Sequence, residues 1–426
     1  MRHLPVRLRS FLLIALALVC AAAACASGAG ASGGGAGLGA KHRAAKRSAA
    51  RPRGHAAGSS SPLVGRAMWI WELPDTNGGN LGSIIASAHR YGVSTLMIKS
   101  SDGTNLWSQF NSSLVATLHR AGLRVCAWQY VYGDHPVTEA YMGADAVHDG
   151  ANCLIIDAES EYEGKYISAQ TYLGRLRQLI GAGYPLALAG FPYVDYHPGF
   201  PYSVFLGPNG AQYNAPQMYW KDIGVSTDAV FAHTYSYNLI YRRPIFPLGQ
   251  VYSNPPAHQI MRFRELSKVY YASGLSWWDW QEASSAAWTA LSRPAGALHG
   301  YTPYRVMADV GDGAQGDLVV WAQEHLITAG FHIGVSGDFG YHTLLAVQGF
   351  QTAHRLTPDG VIGPSTWSAL LRYRPARISW AAAVHGRRQT LARSATRGVE
   401  IATVPRSASR RAKGYEIPKD LGAGRP

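Results

Sequence analysis

A rhythm between residues 67 and 280 restricts the fold more than any other feature. Short apolar runs occur at 67–71, 94–99, 124–132, 152–159, 185–191, 215–220, 244–251 and 275–280. Helix-like amphipathic stretches fall between most of them, at 81–91, 113–121, 137–148, 168–182, 226–237 and 258–272. Gly92, Gly122, Gly183 and Gly274 stand where helix stops are expected, shortly before the next run. Eight strands with helical crossovers predict a closed (β/α)8 barrel rather than an open doubly wound sheet. The stretch 192–213, rich in Pro, Gly and aromatics, breaks the rhythm and reads as a long loop roofing the barrel mouth.

The fourth run, Asn152-Cys-Leu-Ile-Ile-Asp157-Ala-Glu159, ends in two carboxylates at i, i+2. Side chains two apart on a strand share a face about 7 Å apart. At the C-terminal mouth of a barrel such a pair suits cleavage of a glycosidic bond. Glu159 is the expected proton donor and Asp157 its partner, its pKa raised by the apolar run before it and the negative charge beside it. Glu72 and Asp102, at neighbouring strand ends, are second candidates. Gln129, Gln217, Tyr219, Trp278 and Trp280 also fall at strand ends and are the expected substrate-binding residues. Carboxylates on a floor with aromatic walls fit sugar rings, whose C–H faces stack on indole and phenol. The competing reading is that 157–163, with Glu161 and Glu163, is simply an acidic solvated loop.

The net charge of +13 is carried by the flanks. Residues 1–66 hold ten Lys and Arg with no acid, 374–426 hold twelve against three acids, and 67–373 hold 17 against 23. An acidic folded part argues against nucleic acid as a partner. Residues 1–26 have a secretory pattern: Arg2, Arg7 and Arg9, an apolar run over 11–19, and Ala24-Cys25-Ala26 as a cleavage site. Lipid attachment at Cys25 is the alternative. Residues 27–64 should form a flexible Gly/Ala/Arg linker. Cleavage would leave Cys126 and Cys153 as a disulfide or as two buried thiols; both remain open. The histidines of 65–300 are scattered, with no zinc-ligand spacing, phosphate loop or Gly-x-Ser-x-Gly elbow, so neither metal nor cofactor is expected.

Two resemblances complete the picture. Asp157-Ala-Glu159, the acid Glu72 after the first strand, Gln217-Met-Tyr-Trp220 and Trp280-Gln281 resemble the barrel lysozymes of glycoside hydrolase family 25. That family usually opens with Asp on strand one, where this chain has Glu72. Farther on, Gly316-Asp317, Trp321-Ala-Gln323, Gly337-Asp-Phe339-Gly340-Tyr-His-Thr343, Phe350-Gln351 and Asp359-Gly360-Val-Ile362-Gly363-Pro364-Ser-Thr366-Trp367 resemble the peptidoglycan-binding three-helix module. Its Gly-x-apolar-Gly-x-x-Thr turn occurs twice, with Thr343 and Thr366 placed to cap the helices that follow. The first copy has Ser336 where the second has Asp359.

The expected architecture is an α/β chain: a TIM barrel over 65–300, a small all-α three-helix domain over 308–373, and a disordered basic tail over 374–426. The expected function is a secreted, lysozyme-like peptidoglycan hydrolase held on its substrate by the module. The tail would contact anionic wall polymers or a membrane surface. A non-catalytic wall-binding scaffold and a glycosidase for another wall glycan are the alternatives.

Overall fold

The computed structural model describes residues 62–381. The expected signal segment, Cys25, nearly all of the linker and the tail beyond 381 lie outside the described residues.

Nine strands form one sheet: β1 (Gly65–Ile70), β2 (Thr95–Asp102), β3 (Asn105–Leu106), β4 (Arg124–Val131), β5 (Cys153–Ala158), β6 (Leu186–Ala189), β7 (Tyr213–Asn214), β8 (Leu248–Gln250) and β9 (Gly274–Trp278). Eight are parallel neighbours in the order β7-β6-β5-β4-β2-β1-β9-β8. Two parallel bridges, Asn214 to Ile245 and Gln217 to Leu248, join β7 to β8 and close the ring. The barrel is thus the one the rhythm predicts. β3 is an addition, folded back antiparallel on the end of β2. The sixth strand, expected at 215–220, lies instead at Tyr213–Asn214, with one further bridge at Gln217. Pro216 has no N–H for a ladder, and the chain turns helical at Trp220.

The outer helices are α1 (Leu81–Arg90), α2 (Ser112–Arg120), α3 (Pro136–His148), α4 (Tyr166–Ile180), α5 (Tyr202–Phe205), α6 (Trp220–Ile223), α7 (Thr227–Asn238), α8 (Ala257–Val269) and α9 (Ser285–Ser292). Asn80, Asn111, Ser226 and Ser284 cap four of them through their side chains. Gly92 and Gly122 follow α1 and α2 with positive φ, as stops should. Gly274 has a different reason: a Cβ there would lie 2.5 Å from the Phe246 ring and 2.7 Å from the Gly65 carbonyl oxygen.

Two apolar layers hold the barrel. The inner one includes Leu63, Ala67, Trp69, Met97, Cys126, Trp128, Cys153, Ile155 and Leu248. Leu63, expected in the linker, is fully buried there. Cys126 and Cys153 sit opposite one another on β4 and β5 and form a disulfide. The larger layer lies between strands and helices and runs on into the C-terminal helices α10 (Asp317–Thr328), α11 (Tyr341–Ala353) and α12 (Pro364–Leu370).

In this helical region two buried glutamines organise the two turns. Gln323 receives the Ser336 and Gly337 amides and donates to Ser336 Oγ, the Asp338 carbonyl and Thr343 Oγ1. Gln351 receives the Gly360 amide and donates to Asp359 Oδ1, the Val361 carbonyl and Thr366 Oγ1. Ser336 therefore does in the first copy what Asp359 does in the second. The threonines are not caps: Gly340 and Gly363 hold the cap positions, and each threonine hydroxyl instead ties its turn to a glutamine.

The chain past 374 is not free at its start. Gln170 binds the Ile378 carbonyl and the Trp380 amide, and the Trp380 ring lies 4.3 Å from that of Tyr166.

Candidate active site

β5 builds the site. Cys153 and Ile155 face the barrel interior, and Asp157 continues that face to the mouth. Glu159 lies one step beyond the strand on the same side. Gln217, entering from the end of β7, donates from one nitrogen to both: 3.0 Å to Asp157 Oδ1 and 2.9 Å to Glu159 Oε1. With legs of 3.0 and 2.9 Å, those two oxygens are at most 5.9 Å apart. Trp69, Tyr219, Leu248 and Trp278 complete a cavity of about 170 Å³ around the pair. Trp69, Trp128 and Trp278 form a triangle of indoles, their centroids 5.4–5.7 Å apart.

Burial pushes the Asp157 carboxyl well above the usual carboxylate range, and the charge of Glu159 adds to it. Lys99 opposes the shift. Glu159 is also raised, by burial first and then by Glu161, while the Gln217 hydrogen bond and His197 pull it back. Two carboxyl groups this close cannot both be ionised cheaply, so the pair retains a proton toward neutral pH. Tyr130 stands beside Asp157 in register and donates 2.9 Å to Glu161.

Lys99, two residues past the inward Met97, faces the interior by ordinary alternation, and Asp102 joins it there because of a bulge in β2. Its pairing with β4 shifts between Lys99 and Ser101, so Lys99 lies opposite Trp128 while Asp102 lies opposite Tyr130. In a regular strand residues three apart face opposite ways; one extra residue turns both inward. The Lys99 ammonium is 2.6 Å from Asp102 Oδ2 and lies over Trp107, Trp128 and Trp71 at 4.4, 4.9 and 5.9 Å. Tyr132 donates 2.8 Å to the other oxygen of Asp102.

The expected site residues divide. Asp157, Glu159, Gln217, Tyr219 and Trp278 line one cavity. Asp102 is linked to them through Lys99 and borders a separate groove of about 280 Å³ with Thr104, Asn105, Tyr132 and His135. Glu72 lies outside the cavity lining, and burial and a hydrogen bond with Asp75 raise its pKa. Two placements need correction. Gln129 is fully buried on the outer face of β4, where it donates to the Glu139 carbonyl of α3. Trp280 lies past the end of β9 and packs outward on Trp288, its indole N–H on Asn77. Neither can touch a substrate in the mouth. Trp69 lines the cavity without being among the expected site residues, and Lys99 acts on Asp157 from β2. Asp279, outside the cavity lining, is raised to about 7 by burial, with Glu282 adding.

Residues 315–370 match a family model described as "Putative peptidoglycan binding domain". The helical region therefore carries a peptidoglycan-binding domain. A Kitasatospora aureofaciens protein, "Uncharacterized protein in bpoA1 3'region", is 39% identical over 84 residues, 19% of this chain and 70% of that protein. The chain belongs to the family of that protein. The relative's name specifies no activity. Among solved structures, the Bacillus cereus spore cortex-lytic enzyme SleL is similar at TM-score 0.43 and 11% identity, over 54% of this chain and 73% of that one. A class V chitininase from Pseudomonas fluorescens Pf-5 is similar at TM-score 0.42 and 11% identity, over 54% and 98%. Likeness at this level decides nothing about chemistry.

Proposed function

We propose that the protein is a secreted, lysozyme-like glycoside hydrolase that cleaves a β-glycosidic bond in peptidoglycan. The observation that carries this reading is the Asp157–Glu159 pair, held by one Gln217 nitrogen at the mouth of a barrel and walled by aromatics. The peptidoglycan-binding domain supplies the substrate class.

Glu159 is the more exposed of the two and protonates the leaving oxygen; its raised pKa keeps that proton available. Asp157, deeper and the more strongly raised of the two, is its partner and orients the sugar beside it. The Cys126–Cys153 disulfide suits an oxidising, extracellular setting. The basic tail would add affinity for anionic wall polymers.

Glu159→Gln and Asp157→Asn should each lower release of reducing ends from purified wall by about a thousandfold or more, with the circular dichroism spectrum unchanged. Undiminished release in both would end the hydrolytic reading. One observation favours the non-catalytic alternative: about 170 Å³ is below the roughly 300–1,000 Å³ of ordinary ligand pockets. A scaffold would sediment with wall and release nothing at any pH.

A further inference from the structure

An amphipathic helix normally buries one stripe. α10 buries Asp317, Val319, Val320, Trp321, Ala322, Gln323, Glu324, His325 and Leu326, almost its whole circumference. One side packs in the helical domain and the other on the barrel. The Trp321 indole donates 3.0 Å to the Ile240 carbonyl, and Arg242 donates 2.6 Å to that of Leu371. At the start of α10 the fully buried Asp317 carboxylate accepts four bonds: from Tyr166 Oη at 3.0 Å, Ser203 Oγ at 2.7 Å, the Ser203 amide at 2.8 Å and Tyr241 Oη at 2.7 Å. Its own amide donates 2.8 Å to the Pro198 carbonyl. Gly316 is required there: φ is +102°, and a Cβ would lie 2.4 Å from the Pro198 oxygen.

Pro198 and Ser203 belong to the long loop after β6. Next to Pro198, His197 pairs at 2.8 Å with Glu163, and its ring stacks on Phe191. The Gly164 amide donates 2.8 Å to the Gly199 carbonyl. Glu163 closes the short turn that begins at Glu159, whose carbonyl accepts the Tyr162 amide at 3.0 Å.

We propose that Asp317 is a positioning residue for the barrel site. It grips the 191–206 loop at Pro198 and Ser203, and the loop, through His197 and Gly199, holds the segment carrying Glu159. The peptidoglycan-binding domain then works as a wall of the catalytic body as well as a tether. The kinetic part rests on the hydrolase reading above; the structural part does not.

The test uses the full chain with Asp317→Asn and Ser203→Ala. Hydrogen exchange of the 191–206 amides should quicken about tenfold in Asp317→Asn, the loss of a charged hydrogen bond, and less in Ser203→Ala. Protection of α11 and α12 and sedimentation with insoluble peptidoglycan should stay at wild-type levels. On a soluble glycan fragment, where tethering is irrelevant, kcat should fall about tenfold with KM unchanged. Unchanged exchange in both variants overturns the grip, and faster exchange with unchanged kcat overturns the positioning. If Asp317→Asn does not fold, Ser203→Ala, which keeps the buried charge and the amide bond, decides in its place. A wild-type chain that turns over nothing counts against the hydrolase reading alone, and exchange still decides the grip.

Discussion

The barrel mouth and the helical domain both hang on glutamine side chains, and they use them in opposite ways. Gln323 and Gln351 give every bond to groups of their own turns, backbone and hydroxyl for Gln323 and, for Gln351, the turn carboxylate of Asp359 as well. Nothing is left over for a ligand, and the bonds go into holding the fold. Gln217 spends one nitrogen on two carboxylates whose pKa values are already raised by burial. Burial and the neighbouring charges raise the pair, and the Gln217 bond relieves only part of that tension at Glu159. Glutamine at a fold's turn and glutamine at a candidate site are told apart by what they bond to, not by how deep they lie.

Alanine at each glutamine should expose the contrast most strongly. Gln351→Ala leaves the buried Gly360 amide without its partner and the Val361 carbonyl with only the Thr366 hydroxyl at 3.4 Å, so the helical domain should lose about 2 kcal/mol or more in urea unfolding. Gln217→Ala removes a donor from two carboxylates that can take up a proton instead, and stability should change by less than about 1 kcal/mol. Hydrolysis should fall about a hundredfold in that variant because the oriented donor is gone. Equal stability losses in the two variants would erase the distinction.

The disulfide sharpens the comparison from the barrel side. Cys126 and Cys153 lie in the inner layer below Asp157, closing a loop with a sequence separation of 27, whereas residues 308–373 contain no cysteine. A Cys126→Ser, Cys153→Ser chain should lose about 3 kcal/mol. Scanning calorimetry should show the loss in the barrel's melting, while the exchange protection of α11 and α12 is little changed.

How legible each region was follows from the same physics. The helical domain was readable as two copies of one turn because those turns are local and repeated, but not in the roles of single residues: Thr343 and Thr366 bind the glutamines instead of capping, and Ser336, a departure from the motif, takes the part of Asp359. The barrel was readable as a rhythm, and Asp157 and Glu159 as a pair, because i, i+2 spacing fixes a shared face. Which face was not readable on β4. A parallel strand in a barrel is apolar on both sides, as Val125 and Ala127 show beside Cys126 and Trp128, so no alternation marked Gln129 as pointing outward. Trp280 was misplaced because the strand ends at Trp278. The inward turn of Asp102, on the same face as Lys99, depends on a bulge that composition does not announce.

Lys99 gives the smallest expected effect and the most specific one. The charges bearing on Asp157 are Glu159 and Glu161 from its own segment and Lys99 and Asp102 from β2, with Tyr130 on β4 and Tyr219 after β7 beside it and His197 acting on Glu159. Of these groups Lys99 is the one that draws the Asp157 pKa down. Lys99→Met keeps an apolar stem among Trp71, Trp107 and Trp128 and removes the charge. Asp157 then holds its proton to higher pH, so the limb of the pH–rate profile that it sets should move up, while the limb set by Glu159 moves less. Lys99→Arg should restore the profile. The counterpart in the helical domain, Asp359 on Gln351, is solvated and its pKa is lowered by the Val361 amide and by Gln351, so no raised carboxyl is there to rebalance. A profile that falls in height without moving would mean that Lys99 only packs, and that the tension at the mouth is set by burial alone.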